Sequence, residues 1–215
     1  MTSNNHMRTI IFTALCLGAL LGITVSAQNT SATSATIGQP APDFTLQGSN
    51  GKPHSLADYK GKFVVLEWTN PNCPFVHKFY DSNTMQGLQT TETAKGVVWL
   101  RINSSAEGHD GYQTAADLAA YAKEHHVAAT ASLVDSDGQV GHMYGARTTP
   151  HMFVINPKGV LIYAGGIDNK PSPNPDDIAT ATNYVTAALD EAMAGEPVTT
   201  SKARPYGCSV KYASN

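Results

Sequence analysis

The chain has 215 residues, with 14 lysines and arginines against 17 aspartates and glutamates, for a formal net charge of −3. That mildly acidic balance supplies no basic footprint, so no nucleic-acid partner is expected. Three cysteines are too few for a disulfide scaffold in a chain long enough to bury a core of its own.

In chain order, residues 1–27 read as an export signal. Arg8 gives a short positive segment, Ile10 to Val25 is apolar, and Val25-Ser26-Ala27 supplies small residues before a cut. The apolar run is shorter than the roughly 20 residues of a spanning helix and contains Thr13, Gly18 and Gly22, so no retained membrane span is expected. Cys16 lies inside this run and is discarded with it, which leaves Cys73 and Cys208 in a periplasmic or secreted setting where disulfides persist. Residues 28–36 are rich in Ser, Thr and Ala and read as a flexible linker. The folded domain is expected over 37–195, and residues 196–215 form a C-terminal extension that carries Cys208.

Phe44 and Leu46 alternate with polar neighbours ahead of the turn Ser49-Asn50-Gly51, which predicts a short leading hairpin. Phe63 to Trp68 is a buried strand, and a helix follows Cys73 through Tyr80, restarts at Asn83 and ends at Gly96. Val97 to Ile102 is the next strand. Thr114 and Asp117 form a capping box for a helix bearing Leu118 and Tyr121. Ala131 to Val134 is a further strand, with a short helical piece over Val140 to Tyr144. Met152 to Ile155 and Val160 to Tyr163, joined by Asn156-Pro157-Lys158-Gly159, predict a hairpin. Asn174 as cap, Pro175 at the first position and Asp176-Asp177 in the first turn predict a final helix, with Ile178, Val185, Leu189 and Met193 on its apolar face and Gly195 as its stop.

Cys73 stands where a strand gives way to a helix, and Pro74 suits the first helical position. Unsatisfied N–H groups and the positive end of the macrodipole favour an anion at such a place, the setting in which a thiol turns into a nucleophilic thiolate. A buried, inert thiol is the plain alternative.

The order β, α, β, α, β, β, α, with a cysteine at the first strand-to-helix turn and Thr149-Pro150 before the hairpin, resembles the thioredoxin superfamily. It is most similar to the redoxin branch that includes alkyl hydroperoxide reductase and thiol-specific antioxidant proteins. The stretches that carry the resemblance are Ala41-Pro42-Asp43-Phe44-Thr45-Leu46, Val64-Val65-Leu66 ahead of Cys73, and Thr148-Thr149-Pro150 leading into Phe153-Val154-Ile155. The resemblance implies an α/β thioredoxin-like fold, a central mixed sheet flanked by helices, here with a C-terminal extension. It also places Cys73 at the nucleophilic cysteine of a CxxC motif and Pro150 at the family's cis-proline, whose loop presents backbone to substrate. Val76 replaces the second cysteine, and Leu66 and Asn70 stand where the peroxiredoxin signature PxxxTxxC has proline and threonine.

Trp68, Asn70, Pro71, Asn72, Pro74 and Thr149 are the expected substrate-binding neighbours, and Trp68 is equally a core candidate. Cys208 is the expected resolving thiol, or one half of a permanent staple with Cys73. No cofactor is expected. A minor alternative joins Cys73, His77 and His151 as metal ligands. The function expected is an exported thiol-disulfide oxidoreductase acting on a protein or small-molecule disulfide or a peroxide, recharged by a thiol electron donor. A thiol peroxidase and a non-catalytic metal- or partner-binding redoxin are the alternatives.

Overall fold

The computed structural model describes residues 1–2 and 34–213. The expected signal segment, Cys16 and most of the linker lie outside the described residues. The linker's end is docked rather than free: Ala35 N–H donates to the Met143 carbonyl at 2.9 Å.

Strands β1 (Thr45–Gly48) and β2 (Pro53–Ser55) form the leading hairpin, followed by β3 (Val64–Trp68), α1 (Pro74–Tyr80), α2 (Thr84–Ala94), β4 (Val98–Asn103), α3 (Ala115–Glu124) and β5 (Ala131–Val134). The chain continues through α4 (Gln139–Tyr144), β6 (Thr148–Thr149), β7 (His151–Ile155), β8 (Leu161–Gly165), α5 (Tyr184–Met193) and β9 (Cys208–Ser209). Seven strands make one mixed sheet in the order β2-β1-β5-β4-β3-β7-β8. The central β3, β4 and β5 run parallel, and β7 joins β3 antiparallel.

Side-chain alternation divides the core into two layers. Val64, Leu66 and Trp68 of β3 meet Leu100, Ile102, Phe153 and Tyr144 on one face. Val65, Trp99, Met152 and Val154 face the other side, with Cys73, Val76, Phe79 and α5 packed over them. Because helices and loops cover both faces, β3 and β4 are buried along their whole length and read as near-continuous apolar runs.

The caps follow the sequence. Thr114 and Asp117 close a capping box on α3, and Asn83 at φ 59 separates α1 from α2. The final helix differs from its expectation. Asn174, Pro175 and the two aspartates open only a 3-10 turn over Pro175–Thr180, and α5 starts afresh from Asn183, whose side chain accepts from the N–H groups of Val185 and Thr186. Both segments carry good N-caps, so the cap signal alone does not say which of them continues.

Candidate active site

The loop from β3 to α1 is stitched to the next crossover. Thr69 N–H donates to the Ile102 carbonyl at 3.0 Å, and Asn70 accepts from Asn72 N–H at 2.8 Å while donating to the Asp110 carbonyl at 3.1 Å. Asn72 donates to the Asp110 carboxylate at 2.7 Å. Gly111 permits this closeness: its φ is +75, and a Cβ there would stand 2.2 Å from the Asn70 amide. Cys73 leaves the loop as the N-cap of α1, with Pro74 at the first helical position.

The Cys73 thiol is buried, 1% exposed, and donates to the Thr149 carbonyl at 3.0 Å. Thr149 precedes Pro150 through a cis peptide bond. The extension meets the sulfur from the other side. Strand β9 pairs antiparallel with β6, which sets the Cys208 backbone opposite Thr149, the residue whose carbonyl accepts from the Cys73 thiol. Gly207 makes the approach feasible, since its φ is +132 and a Cβ would lie 2.0 Å from the Thr149 carbonyl oxygen.

Both cysteines are free thiols, Cys208 half-buried. The Cys208 thiol is pushed up to about 12 by burial first, then by its hydrogen bond to Cys73 and by the charge of that sulfur. Cys208 keeps its proton at neutral pH and shares it with Cys73.

Several contacts hold the extension in place. Tyr206 donates to the Asp168 carboxylate, which also faces the buried Lys78 ammonium of α1 at 3.5 Å. Val210 N–H donates to the Arg147 carbonyl at 3.1 Å, and Tyr212 OH to the Ala146 carbonyl at 2.8 Å. The Tyr212 ring stacks on His142 at 4.0 Å and covers Gly138 and Gly141, where any Cβ would strike it.

Of the expected substrate-binding neighbours, Pro71 is half-buried, while Asn72 and Pro74 are exposed beside the thiol. Asn70 and Thr149 are buried and shape the site through backbone and loop contacts. Trp68 is core: it is fully buried against Tyr144 and Phe153 and donates to Ser104 Oγ at 2.9 Å. The metal set does not assemble. His77 pairs with Asp81 at 3.2 Å, His151 packs on Phe153, and no cluster of three metal-binding side chains occurs among the described residues.

A buried charge pair beneath the site is absent from the sequence expectations. Glu67 accepts from Tyr80 OH at 2.8 Å, Gln89 Nε2 at 3.1 Å and Trp99 Nε1 at 2.7 Å. Arg101, its register partner on β4, stands 3.8 Å away. A lone acid and a lone base at matching positions of two apolar strands were the available signal.

Two buried groups near the site titrate in opposite senses. Burial and the Arg147 charge depress His151 from 6.5 to about 3. Burial raises Asp135 from 3.8 to about 6, against hydrogen bonds from Ser104, Gly141 and Val140 that favour its anion. Between pH 6 and 4 the unfolded chain binds a proton at His151 that the fold refuses, which costs about 1.4 kcal/mol of stability per unit of acidification. Over the same window the fold binds a proton at Asp135 that the unfolded chain lacks, which returns a similar amount. The two slopes cancel in the parent chain. Relative to it, His151→Gln should gain stability from pH 6 to pH 4 and Asp135→Asn should lose it. Urea denaturation at both pH values measures this, and parallel behaviour of all three proteins would refute it.

The model of the AhpC/TSA family matches residues 37–164. The thiol-disulfide oxidoreductase ResA of Geobacillus thermodenitrificans is 29% identical over 161 residues, covering 71% of this chain and 82% of that protein. The thiol:disulfide interchange protein DsbE of Escherichia coli is 27% identical over 177 residues, 75% of this chain and 84% of the relative. A conserved protein of Geobacillus kaustophilus superposes with a TM-score of 0.70 at 26% identity, covering 84% of this chain and 94% of that structure.

Proposed function

Because the chain belongs to the AhpC/TSA family of the thioredoxin superfamily and is a thiol-dependent oxidoreductase, we propose that Cys73 and Cys208 are its working couple, exchanging thiol for disulfide with an external partner. The observation that carries this is the register of β9 on β6, which sets Cys208 opposite the residue that accepts the Cys73 proton. The pair replaces a local CxxC: the second sulfur comes from the extension instead of from the position of Val76.

In the reducing direction Cys73, as thiolate, attacks a substrate disulfide and forms a mixed disulfide, and half of the substrate leaves as a thiol. Cys208 then attacks the Cys73 sulfur, releases the second half and closes the internal disulfide. A thiol donor reopens it. The burial of Cys73 under β9 means that its attack occurs when Cys208 steps aside. In the oxidising direction an incoming thiolate meets the half-buried Cys208 sulfur, and Cys73 leaves at the start of α1.

Pro150 holds the loop whose Thr149 carbonyl accepts from Cys73 and whose backbone pairs with that of Cys208. Export through residues 1–27 gives the couple an oxidising compartment to work in; among the described residues no helix is long and apolar enough to cross a membrane. N-terminal sequencing of the protein from an exporting host tests that leader, with a start near Gln28 as the expected result.

A thiol-trapping titration across redox buffers, with mass mapping of Cys73 and Cys208, tests the couple. A single two-electron midpoint in the range of cycling thiol oxidoreductases, roughly −120 to −270 mV, is expected. A bond resistant below about −300 mV would make it a structural staple. Sulfenic acid accumulating on Cys73 within seconds of adding stoichiometric hydrogen peroxide would shift the reading to a peroxidase.

A further inference from the structure

Next to the β6–β9 pair lies a cavity of about 610 Å³, within the size range of small-ligand sites, whose walls include chain neighbours of both cysteines but neither cysteine itself. Its walls include Phe75, two residues beyond Cys73, Thr148 on β6, and Gly207, immediately before Cys208. The cavity is thus built from the segments that carry the pair.

Its charge runs against that of the chain. The whole protein carries −3, yet Lys202 and Arg204 line the cavity. Both are exposed, and neither forms an ion pair among the described residues. The carboxylate in the wall, Asp168, is already engaged by Lys78, Tyr206 and the Lys170 N–H. A concave, positively charged wall concentrates anions.

The strand pairing narrows the class of ligand. An extended peptide captured by strand addition must displace the whole of β9 from β6, a larger change than the side-step of the Cys208 side chain that uncovers Cys73. A small molecule needs no edge.

We propose that this cavity is the subsite for the carboxylate-bearing arm of a small disulfide, held by Lys202 and Arg204 while its sulfur meets the thiol pair. The proposal rests on the exchange reading above and names its substrate class. The chemistry balances: the Cys73 thiolate forms a bond to one substrate sulfur, and the other sulfur leaves and takes the Cys208 proton. Cys208 then displaces the second sulfur, which is protonated by water. The protein dithiol loses two electrons and the disulfide becomes two thiols.

The test uses the reduced full chain and two probes, oxidised glutathione as an anionic disulfide and cystamine as a cationic one, with quenched single-turnover rates read by mass. At low salt the glutathione-to-cystamine rate ratio should fall at least about tenfold in the K202E/R204E protein, with cystamine accelerated, and the parent's preference should fade at high salt. The K202A/R204A protein should lie between. An unchanged ratio with both probes reacting would overturn the subsite and leave the exchange reading standing. Reaction with neither probe would sink the exchange reading and the subsite together. A glutamate-flanked peptide disulfide that outpaces glutathione and loses its advantage in K202E/R204E would overturn the small-disulfide assignment in favour of protein substrates.

Discussion

Cys208→Ser should convert the protein from a turnover catalyst into a trap. The variant keeps Cys73 at the start of α1 and keeps its acceptor at Thr149, so the first exchange proceeds and a mixed disulfide accumulates on Cys73. What disappears is the intramolecular second step. A tethered thiol acts at an effective concentration of millimolar or more, so with an external thiol donor at about 10 µM the release step should slow by roughly a hundredfold or more. Mass spectrometry of the quenched reaction should find the substrate half on Cys73. Unchanged multiple turnover would remove Cys208 from the mechanism. Gly207→Ala approaches the same defect through the backbone: it leaves both sulfurs in the chain but places a Cβ 2.0 Å from the Thr149 carbonyl oxygen. It should also accumulate the mixed disulfide, because β9 can no longer lie on β6.

Much of the strand-to-helix turn that carries Cys73 is legible in the sequence. An apolar run, a cysteine and a proline in sequence specify a strand end, an N-cap and a first helical turn, because local geometry and capping chemistry act over a few residues. The path of the extension was not readable in that way. Tyr206, Val210 and Tyr212 are spaced through a segment without helical or strand period, and their partners, Asp168, Arg147 and Ala146, lie 38 to 66 positions away. Trp68 shows how sequence leaves two readings open: proximity to Cys73 allows a substrate contact and the apolar strand allows a core position, and strand alternation turns its ring into the other core layer. His151 likewise follows the cis-proline directly, yet its place on β7 buries it beside Phe153.

Glu67 and Arg101 are the other feature that only pairing reveals, and removing one partner should have the largest effect on stability. The β3–β4 register puts them side by side with both side chains fully out of solvent. Glu67→Met deletes the acceptor of Tyr80, Gln89 and Trp99 and strands the guanidinium between the rings of Tyr80 and Tyr121, at 5.1 and 4.8 Å. An uncompensated buried charge of this kind costs about 3–5 kcal/mol, which for a domain of this size is a fall in Tm of roughly 10 °C. Arg101→Met should cost a similar amount, because it leaves the carboxylate with hydrogen bonds but no counter-charge. Glu67→Met combined with Arg101→Met removes both charges at once and pays only for the orphaned indole, phenol and amide donors, at about 1–3 kcal/mol each. The double variant should therefore be more stable than the sum of the single losses predicts, by at least about 1.5 kcal/mol in urea denaturation. Strict additivity would mean that each charge is compensated by its own neighbours, and that the anchoring of α1 to the sheet beneath Cys73 rests on the hydrogen bonds of Glu67 alone.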